Sequence, residues 1–379
     1  MKKIKIIADN KIPYLKGALE SVADIVYLPG SKITKQDLAD ADALITRTRT
    51  KCNKELLEGT GIKFIATATI GYDHIDTAYC DAAGISWTNA PGCNSGSVQQ
   101  YVASALVLLS RKNNFELKSK TIGIVGVGNV GSKVQKIAEA FGMKVLLCDP
   151  PRERKEGSAN FVSFETICKE ADIITFHTPL NKTGTDKTFH LADDAFFQKV
   201  KKGVIIINSS RGEVVETNAL KQALRSGIVN SSVIDVWENE PDIDKELLAL
   251  VTIATPHIAG YSRDGKAGGT TMSVQAVSRF FGLGIDNWQP ADIEKPSNPS
   301  ICIDTIGKTI EQVIQDAIRA TYKIAEDDKR LKADVATFEK QREDYPVRRE
   351  FHAYNVEFTA GNAKALELIK TIGFKQVLL

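Results

Sequence analysis

Arg211, Glu240 and His257 each stand just past a short apolar run, in "IIINSSRG", "VIDVWENEP" and "TIATPHIAG". Such runs read as buried strands, and in an open parallel sheet ligands gather beyond the carboxyl ends of the strands. Together the three residue types suit removal of hydride from a hydroxy acid. A fixed guanidinium grips a carboxylate through two parallel hydrogen bonds. A histidine accepts the hydroxyl proton near neutral pH, and a carboxylate orients the imidazole and stabilises its charged form. Singly, each has an ordinary reading: a surface Arg, a Glu at a helix start before Pro241, a satisfied structural His. Their succession behind a glycine turn favours the catalytic reading.

That turn lies in "TIGIVGVGNVGSKVQKIAEAFGMKVLLCD", where Gly126, Gly128 and Gly131 have the G-x-G-x-x-G spacing and enclose Asn129 and Val130. The spacing alone is weak. Here it follows an apolar run, opens a helical pattern, and is followed by a second run ending at Asp149. The parts supply a tight turn, close backbone approach to a pyrophosphate, helix–strand contact, and a carboxylate for ribose hydroxyls. The helix N-terminus adds free N–H groups and partial positive charge. A carboxylate at Asp149 accepts from a 2′-hydroxyl and repels a 2′-phosphate, so NAD is the expected cofactor rather than NADP.

The elements that must position these residues are legible as well. Before residue 90, "IKIIA", "DIVYL", "DALITR", "KFIATAT" and "GISWTN" alternate with helix-patterned segments, which argues for a parallel sheet. Residues 94–112 carry apolar side chains at helical spacing and lead into a second, stronger alternation: "TIGIVG", "MKVLLCD", "DIITFH", "GVIIIN", "SSVIDV" and "TIATP". A helical pattern follows over 263–282, then a proline-bearing linker at 287–300, then a long helical pattern over 306–333 and a strand-like "EFHAYNVEF". The expected fold is α/β, with two doubly wound parallel-sheet domains and a small α+β C-terminal domain. The expected bounds are 1–93 with 260–286, then 94–259, then 287–379.

Composition sets the outer limits. The chain has 379 residues, 43% hydrophobic and 25% charged, with 49 basic against 47 acidic side chains. This balance points to neither nucleic acid nor a membrane as a partner. The start, "MKKIKIIADN", reads as a first strand rather than a signal peptide. Six scattered cysteines without C-x-x-C pairs suggest buried thiols in a reducing, cytoplasmic setting and no metal site.

The segments around Arg211, Glu240 and His257, together with "GVGNVG", resemble the D-isomer-specific 2-hydroxyacid dehydrogenases over residues 1 to about 285. The resemblance implies that Arg211 binds the substrate carboxylate and carbonyl, that Glu240 partners the histidine, and that His257 is the acid/base group. The first domain would then hold substrate in a flavodoxin-like fold and the second would hold NAD. Within the family, "ATATIGYDHID", "NAPGCNSGSVQQYV", "LLCDPPR", "DIITFHTPL", "HIAGYS" with "GKAGGTT", and the tail are most similar to members acting on a small phosphorylated 2-hydroxy acid. Those members carry a C-terminal dimerisation domain, which implies a homodimer. Matching motifs imply substrate contacts at Thr48, Thr69 and Tyr261 beside Arg211. They imply NAD contacts at Asp149, Thr178, Ser209, Ser210, Asp235 and Gly260. A substrate phosphate needs further cationic donors, for which Arg47, Arg49, Arg348 and Arg349 are candidates, the last two across a dimer interface. The residues leave open another family substrate, such as 3-phosphoglycerate or glyoxylate, and a non-catalytic NAD-sensing interaction protein.

Overall fold

Near-continuous apolar strands joined by long crossovers close into parallel sheets covered on both faces, and two such sheets form. The computed structural model describes residues 3–378. The chain divides into two compact units, Met1–Asn94 with Ser262–Glu294, and Ser95–Tyr261 with Lys295–Leu379.

The first unit holds a five-stranded parallel sheet of β1 (Lys5–Asp9), β2 (Asp24–Leu28), β3 (Ala43–Thr46), β4 (Phe64–Thr67) and β5 (Ser86–Thr88), in the order β2-β1-β3-β4-β5. The order reverses between β1 and β3, which places a crevice beyond their carboxyl ends. One face is covered by the helix Arg263–Phe281, whose Val274 and Val277 join Ile6, Ala8 and Ile45 in one cluster. Ser262 starts that helix by accepting from Gly265 N–H at 2.8 Å.

The second unit holds β6 (Thr121–Val125), β7 (Lys144–Cys148), β8 (Ile173–Phe176), β9 (Val204–Asn208), β10 (Val229–Ile234) and β11 (Ile253–Ala254), in the order β11-β10-β9-β8-β6-β7. All five strand pairs are parallel. A smaller parallel sheet follows in the tail, β12 (Ser300–Ile303), β13 (Asn355–Phe358) and β14 (Gln376–Leu378).

The helix Ser95–Lys112 is buried on nearly every side, as a helix lying between two packed layers must be. Its Tyr101 and Leu106 share one cluster with Ile124 of the large sheet and with Ile314 and Phe351 of the tail. Its polar side chains serve the tail too. Ser104 Oγ donates to Tyr322 O at 3.0 Å, Gln99 Nε2 to Ile372 O at 3.1 Å, and Gln100 Nε2 to Arg349 O at 2.9 Å.

Three local features differ from the sequence expectation. The helical pattern over 306–333 forms two helices, Ile310–Thr321 and Ile324–Ala333, because Tyr322 is extended and gives its carbonyl to Ser104. β12 begins at the end of the expected linker, where "SICI" is too short for periodicity to reveal it. The strand expected in "EFHAYNVEF" occupies only Asn355–Phe358, after a 3₁₀ turn at Phe351–Ala353. Among the described residues no helix is long and apolar enough to cross a membrane. All six cysteines are unpaired, and burial raises the Cys52 and Cys148 thiols to about 12 and Cys80 and Cys168 to about 11.

Candidate active site

The glycine turn forms where β6 meets the helix Gly131–Ala140, beside the point at which the strand order reverses. Each glycine has a separate reason. Gly126 is left-handed at φ 86°, and a Cβ there would lie 2.7 Å from His177 O. A Cβ on Gly131 would lie 2.1 Å from Gly126 O, whereas one on Gly128 would meet nothing within 4 Å. The first and third glycines therefore close the turn, and the second leaves its outer side open to a ligand. Over that side lies a depression of about 550 Å³ lined by Gly128, Asn129, Ser132, Lys133 and Arg152. Val130 occupies the helix N-cap position.

Asp149 follows β7 and binds the glycine turn. Its Oδ2 accepts from Val127 N–H at 2.8 Å and its Oδ1 from Arg152 N–H at 3.1 Å, which also caps the helix Pro150–Glu156. Thr178 Oγ1 and Ser209 Oγ are buried with no hydrogen-bond partner among the described residues. A buried hydroxyl without a partner is costly, and two of them at the ends of β8 and β9 fit a cofactor with polar groups to offer. Ser210 differs, because its hydroxyl donates to Asn208 Oδ1 at 2.8 Å.

Arg211 follows β9 in a loop pinned by Asn208. Asn208 Nδ2 donates to Arg211 O at 2.9 Å, and Asn208 Oδ1 also accepts from Ser210 N–H at 3.1 Å. Gly212 then presses on the next loop, since a Cβ there would lie 2.1 Å from the carbonyl carbon and oxygen of Trp237. That close approach ties the Arg211 loop to the loop bearing Glu240.

His257 and Glu240 meet directly, Nδ1 to Oε2 at 2.8 Å. Glu240 Oε1 accepts from Trp237 N–H at 2.9 Å. Burial alone would raise the Glu240 carboxyl, but the His257 charge and hydrogen bond, the Trp237 N–H and Arg342 outweigh it and hold it below its usual range. With Nδ1 engaged, Nε2 is the nitrogen left for proton exchange. His257 is left-handed at φ 55°, a conformation that costs a non-glycine residue about 1–3 kcal/mol and persists only where its surroundings impose it. Asp235 imposes it: its backbone carbonyl accepts from His257 N–H at 2.7 Å, and its carboxylate accepts from Ile258 N–H at 2.8 Å, Ala259 N–H at 2.9 Å and Thr255 Oγ1 at 2.6 Å. Asp235 is 1% exposed, so its carboxylate serves the histidine loop first. Gly260 and Tyr261 complete the loop, and Tyr261 stacks edge-on against Tyr345 with the Arg342 guanidinium 5.6 Å from its ring.

Thr48, Thr69 and Arg47 belong to the first unit. Thr48 is exposed just after β3, and Thr69, after β4, bonds Thr67 Oγ1 at 2.7 Å and Gly71 O at 2.8 Å. Arg47 donates to Lys11 O at 2.8 Å, which joins the loops beyond β1 and β3 at that sheet's own reversal point. Arg348 does not fit its expected role on a substrate phosphate. It is 4% exposed, and its guanidinium is turned inward on backbone carbonyls of its own chain.

Sequence reasoning passed over Asn208, although a polar residue closing "VIIIN" before Ser-Ser-Arg is a signal. It also passed over a second pair, His190 Nε2 to Glu238 Oε1 at 2.7 Å, in which Glu238 Oε2 accepts from Thr217 N–H at 2.9 Å.

His177, after β8, has a buried Nδ1 with no partner and an Nε2 bonded to Thr175 Oγ1 at 2.9 Å. Burial pushes its pKa down to about 3 from an ordinary 6.5. Between those values the unfolded chain holds a proton that the folded one lacks, so stability falls as pH drops through this window. His177→Gln is expected to remove one proton from that slope, about 1.4 kcal/mol per pH unit. Denaturant melts between pH 6 and 5 read the difference, and an unchanged slope would show that His177 is protonated in the fold.

Residues 98–259 match the model of the D-isomer specific 2-hydroxyacid dehydrogenase NAD binding domain, and residues 296–373 match a domain family of unknown function. The erythronate-4-phosphate dehydrogenase of Bacteroides thetaiotaomicron is 54% identical over 93% of this chain and 99% of its own length. The chain belongs to the erythronate-4-phosphate dehydrogenase family. The Klebsiella pneumoniae erythronate-4-phosphate dehydrogenase is 41% identical over 99% of both chains. Among solved structures, an NAD-bound 3-phosphoglycerate dehydrogenase from Entamoeba histolytica matches with a TM-score of 0.64 and 26% identity, over 77% of this chain and all of the other. A D-lactate dehydrogenase from Aquifex aeolicus, complexed with NAD and lactic acid, matches at 0.62 and 29%, over 73% and 95%. The chain is thus a dehydrogenase of the family expected from its motifs, and its cofactor is NAD.

Proposed function

We propose that the chain oxidises 4-phospho-D-erythronate to 2-oxo-3-hydroxy-4-phosphobutanoate with NAD, a step of pyridoxal 5′-phosphate biosynthesis, in the cytoplasm and as a homodimer formed through its tail. The observation that carries the chemistry is the 2.8 Å contact of His257 Nδ1 with Glu240, in the same unit as the dinucleotide turn. The substrate comes from the 54% identity to a named erythronate-4-phosphate dehydrogenase.

NAD held at the glycine turn supplies the hydride acceptor. Arg211 binds the substrate carboxylate and fixes C2. His257 takes the C2 hydroxyl proton on Nε2, and Glu240 stabilises the resulting imidazolium. Thr178 and Ser209 offer the cofactor their unpaired hydroxyls. Thr48 and Thr69 stand at strand ends of the first unit, where a substrate would be received, and Arg47, Arg49 and Arg349 remain the candidates for its phosphate. Ile306, Ile310 and Val347 are large apolar side chains exposed on the tail, which supports a partner surface there.

The test is NADH formation with 4-phosphoerythronate, erythronate and 3-phosphoglycerate offered in parallel, and a 2-oxo acid added to reoxidise retained cofactor. A preference of about 10²-fold or more in kcat/KM for 4-phosphoerythronate is expected, because sites built around a polar group reject analogues without it. Preference for another acid would keep the dehydrogenase chemistry and discard this substrate. Light scattering is expected to report a particle of two chains.

A further inference from the structure

The backbone that follows His257 is held from two sides by opposite buried charges. On the sheet side, the Asp235 carboxylate accepts from Ile258 N–H and Ala259 N–H at 2.8 and 2.9 Å. On the tail side, Arg348 Nη2 donates to Ile258 O at 3.1 Å and Ala259 O at 2.5 Å. The peptide joining Ile258 to Ala259 thus has its carbonyl on a guanidinium and its N–H on a carboxylate, so its dipole lies along the field between them. Ser97 completes the arrangement, donating to Ala259 O at 2.8 Å and accepting from Arg348.

Arg348 is itself fixed by the tail. Its guanidinium lies 4.5 Å from the Tyr322 ring and 5.6 Å from that of Tyr345. The hydroxyls of both tyrosines donate to Asp327 Oδ2, at 2.6 and 2.7 Å. A buried guanidinium is costly unless its partners require it. An apolar side chain of similar size would fill the space but leave two carbonyls without their charged donor.

We propose that Arg348 is a positioning residue for hydride removal: with Asp235 it clamps residues 258 and 259, so that His257 keeps its left-handed backbone and its bond to Glu240. The tail is then part of the catalytic apparatus of its own protomer. This rests on the reading of His257 as the acid/base group.

The test compares the unaltered full-length protein with Arg348→Met, Arg348→Lys and Ser97→Ala, reading kcat and KM for 4-phosphoerythronate and, separately, NAD affinity from quenching of protein fluorescence. In Arg348→Met, kcat is expected to fall about 10²-fold, the cost of small misplacement of a reacting group. NAD affinity and KM are expected to stay within about threefold, since neither the glycine turn nor Arg211 is touched. Arg348→Lys, which keeps a charged donor, is expected to recover about tenfold of the loss, and Ser97→Ala to lose about threefold in kcat alone. A kcat equal to the unaltered protein's in both Arg348 variants would overturn the clamp, as would parallel loss of NAD affinity, which marks a general structural role. If Arg348→Met does not fold, Arg348→Lys and Ser97→Ala decide: unchanged kcat in both overturns the proposal. An unaltered protein that binds NAD but turns over no hydroxy acid would instead overturn the reading of His257, and the clamp with it.

Discussion

His257→Gln lowers kcat about 10³-fold or more while NAD affinity stays within about twofold. The first figure follows from the loss of the group proposed to take the hydroxyl proton, since positioned acid–base groups contribute 10²–10⁴-fold. The second follows from geometry, because no atom of the glycine turn, Thr178 or Ser209 depends on the imidazole. A further consequence lies in Glu240. The His257 charge is the largest influence lowering its carboxyl against burial, so removing it sends the Glu240 pKa upward. Turnover, NAD titration and a carboxyl-resolved NMR titration of the variant check all three. Turnover within tenfold of the unaltered protein would remove His257 from the role of base.

Gly131→Ala abolishes useful NAD binding, weakening it by about 10²-fold or more. The added Cβ would sit 2.1 Å from Gly126 O and 3.0 Å from Gly126 C. Both are backbone atoms, so relief requires the helix Gly131–Ala140 to move off β6 or the turn to open. Either movement dismantles the set of N–H groups that faces a pyrophosphate. A 10²-fold loss is about 2.7 kcal/mol, which a displaced helix N-terminus readily supplies. Gly128→Ala is the internal control, because its Cβ meets nothing of the protein. It should fold with unchanged melting temperature and lose affinity only through contact with the cofactor. Calorimetric titration with NAD separates the two, and a Gly131→Ala protein of normal affinity would show that the turn yields without cost.

The sheets were legible because each strand is an apolar run long enough to stand out from its neighbours, and because the glycine spacing fixes where one strand hands over to a helix. Arg211, Glu240 and His257 stand out in the sequence for the same reason: each follows such a run. What one-dimensional order does not carry is direction. Asp235 was read as a cofactor contact, yet its carboxylate faces Ile258 and Ala259, a fact set by the turn after β11 rather than by spacing. Arg348 in "VRREF" has the sequence signature of a solvated charge, and only the tyrosines and carbonyls around it, contributed from distant segments, make it a buried one. The left-handed backbone of His257 is not legible in the sequence, because histidine enters that region more often than most side chains but is seldom held there without bonds from distant residues such as Asp235. The tail's helical stripes were visible, but a stripe does not name the surface it covers. That Tyr101 and Phe351 share one cluster follows from a helix buried on both sides, which its small polar residues disguise.

The helix Arg263–Phe281 completes a sheet whose five strands all precede Ser95. On the ribosome this means that the first unit to emerge cannot close until the strands of the second have been made. At roughly 5–20 residues per second, the intervening residues 95–261 take on the order of 10–30 s to be made. Throughout that interval the face of the sheet bearing Ile6, Ala8 and Ile45 is met by Ile12, Leu15 and Leu19 but lacks Val274 and Val277. A nascent chain halted shortly before Ser262 would therefore carry all eleven strands of the two large sheets, with the first still lacking the helix Arg263–Phe281 and the second still lacking the tail.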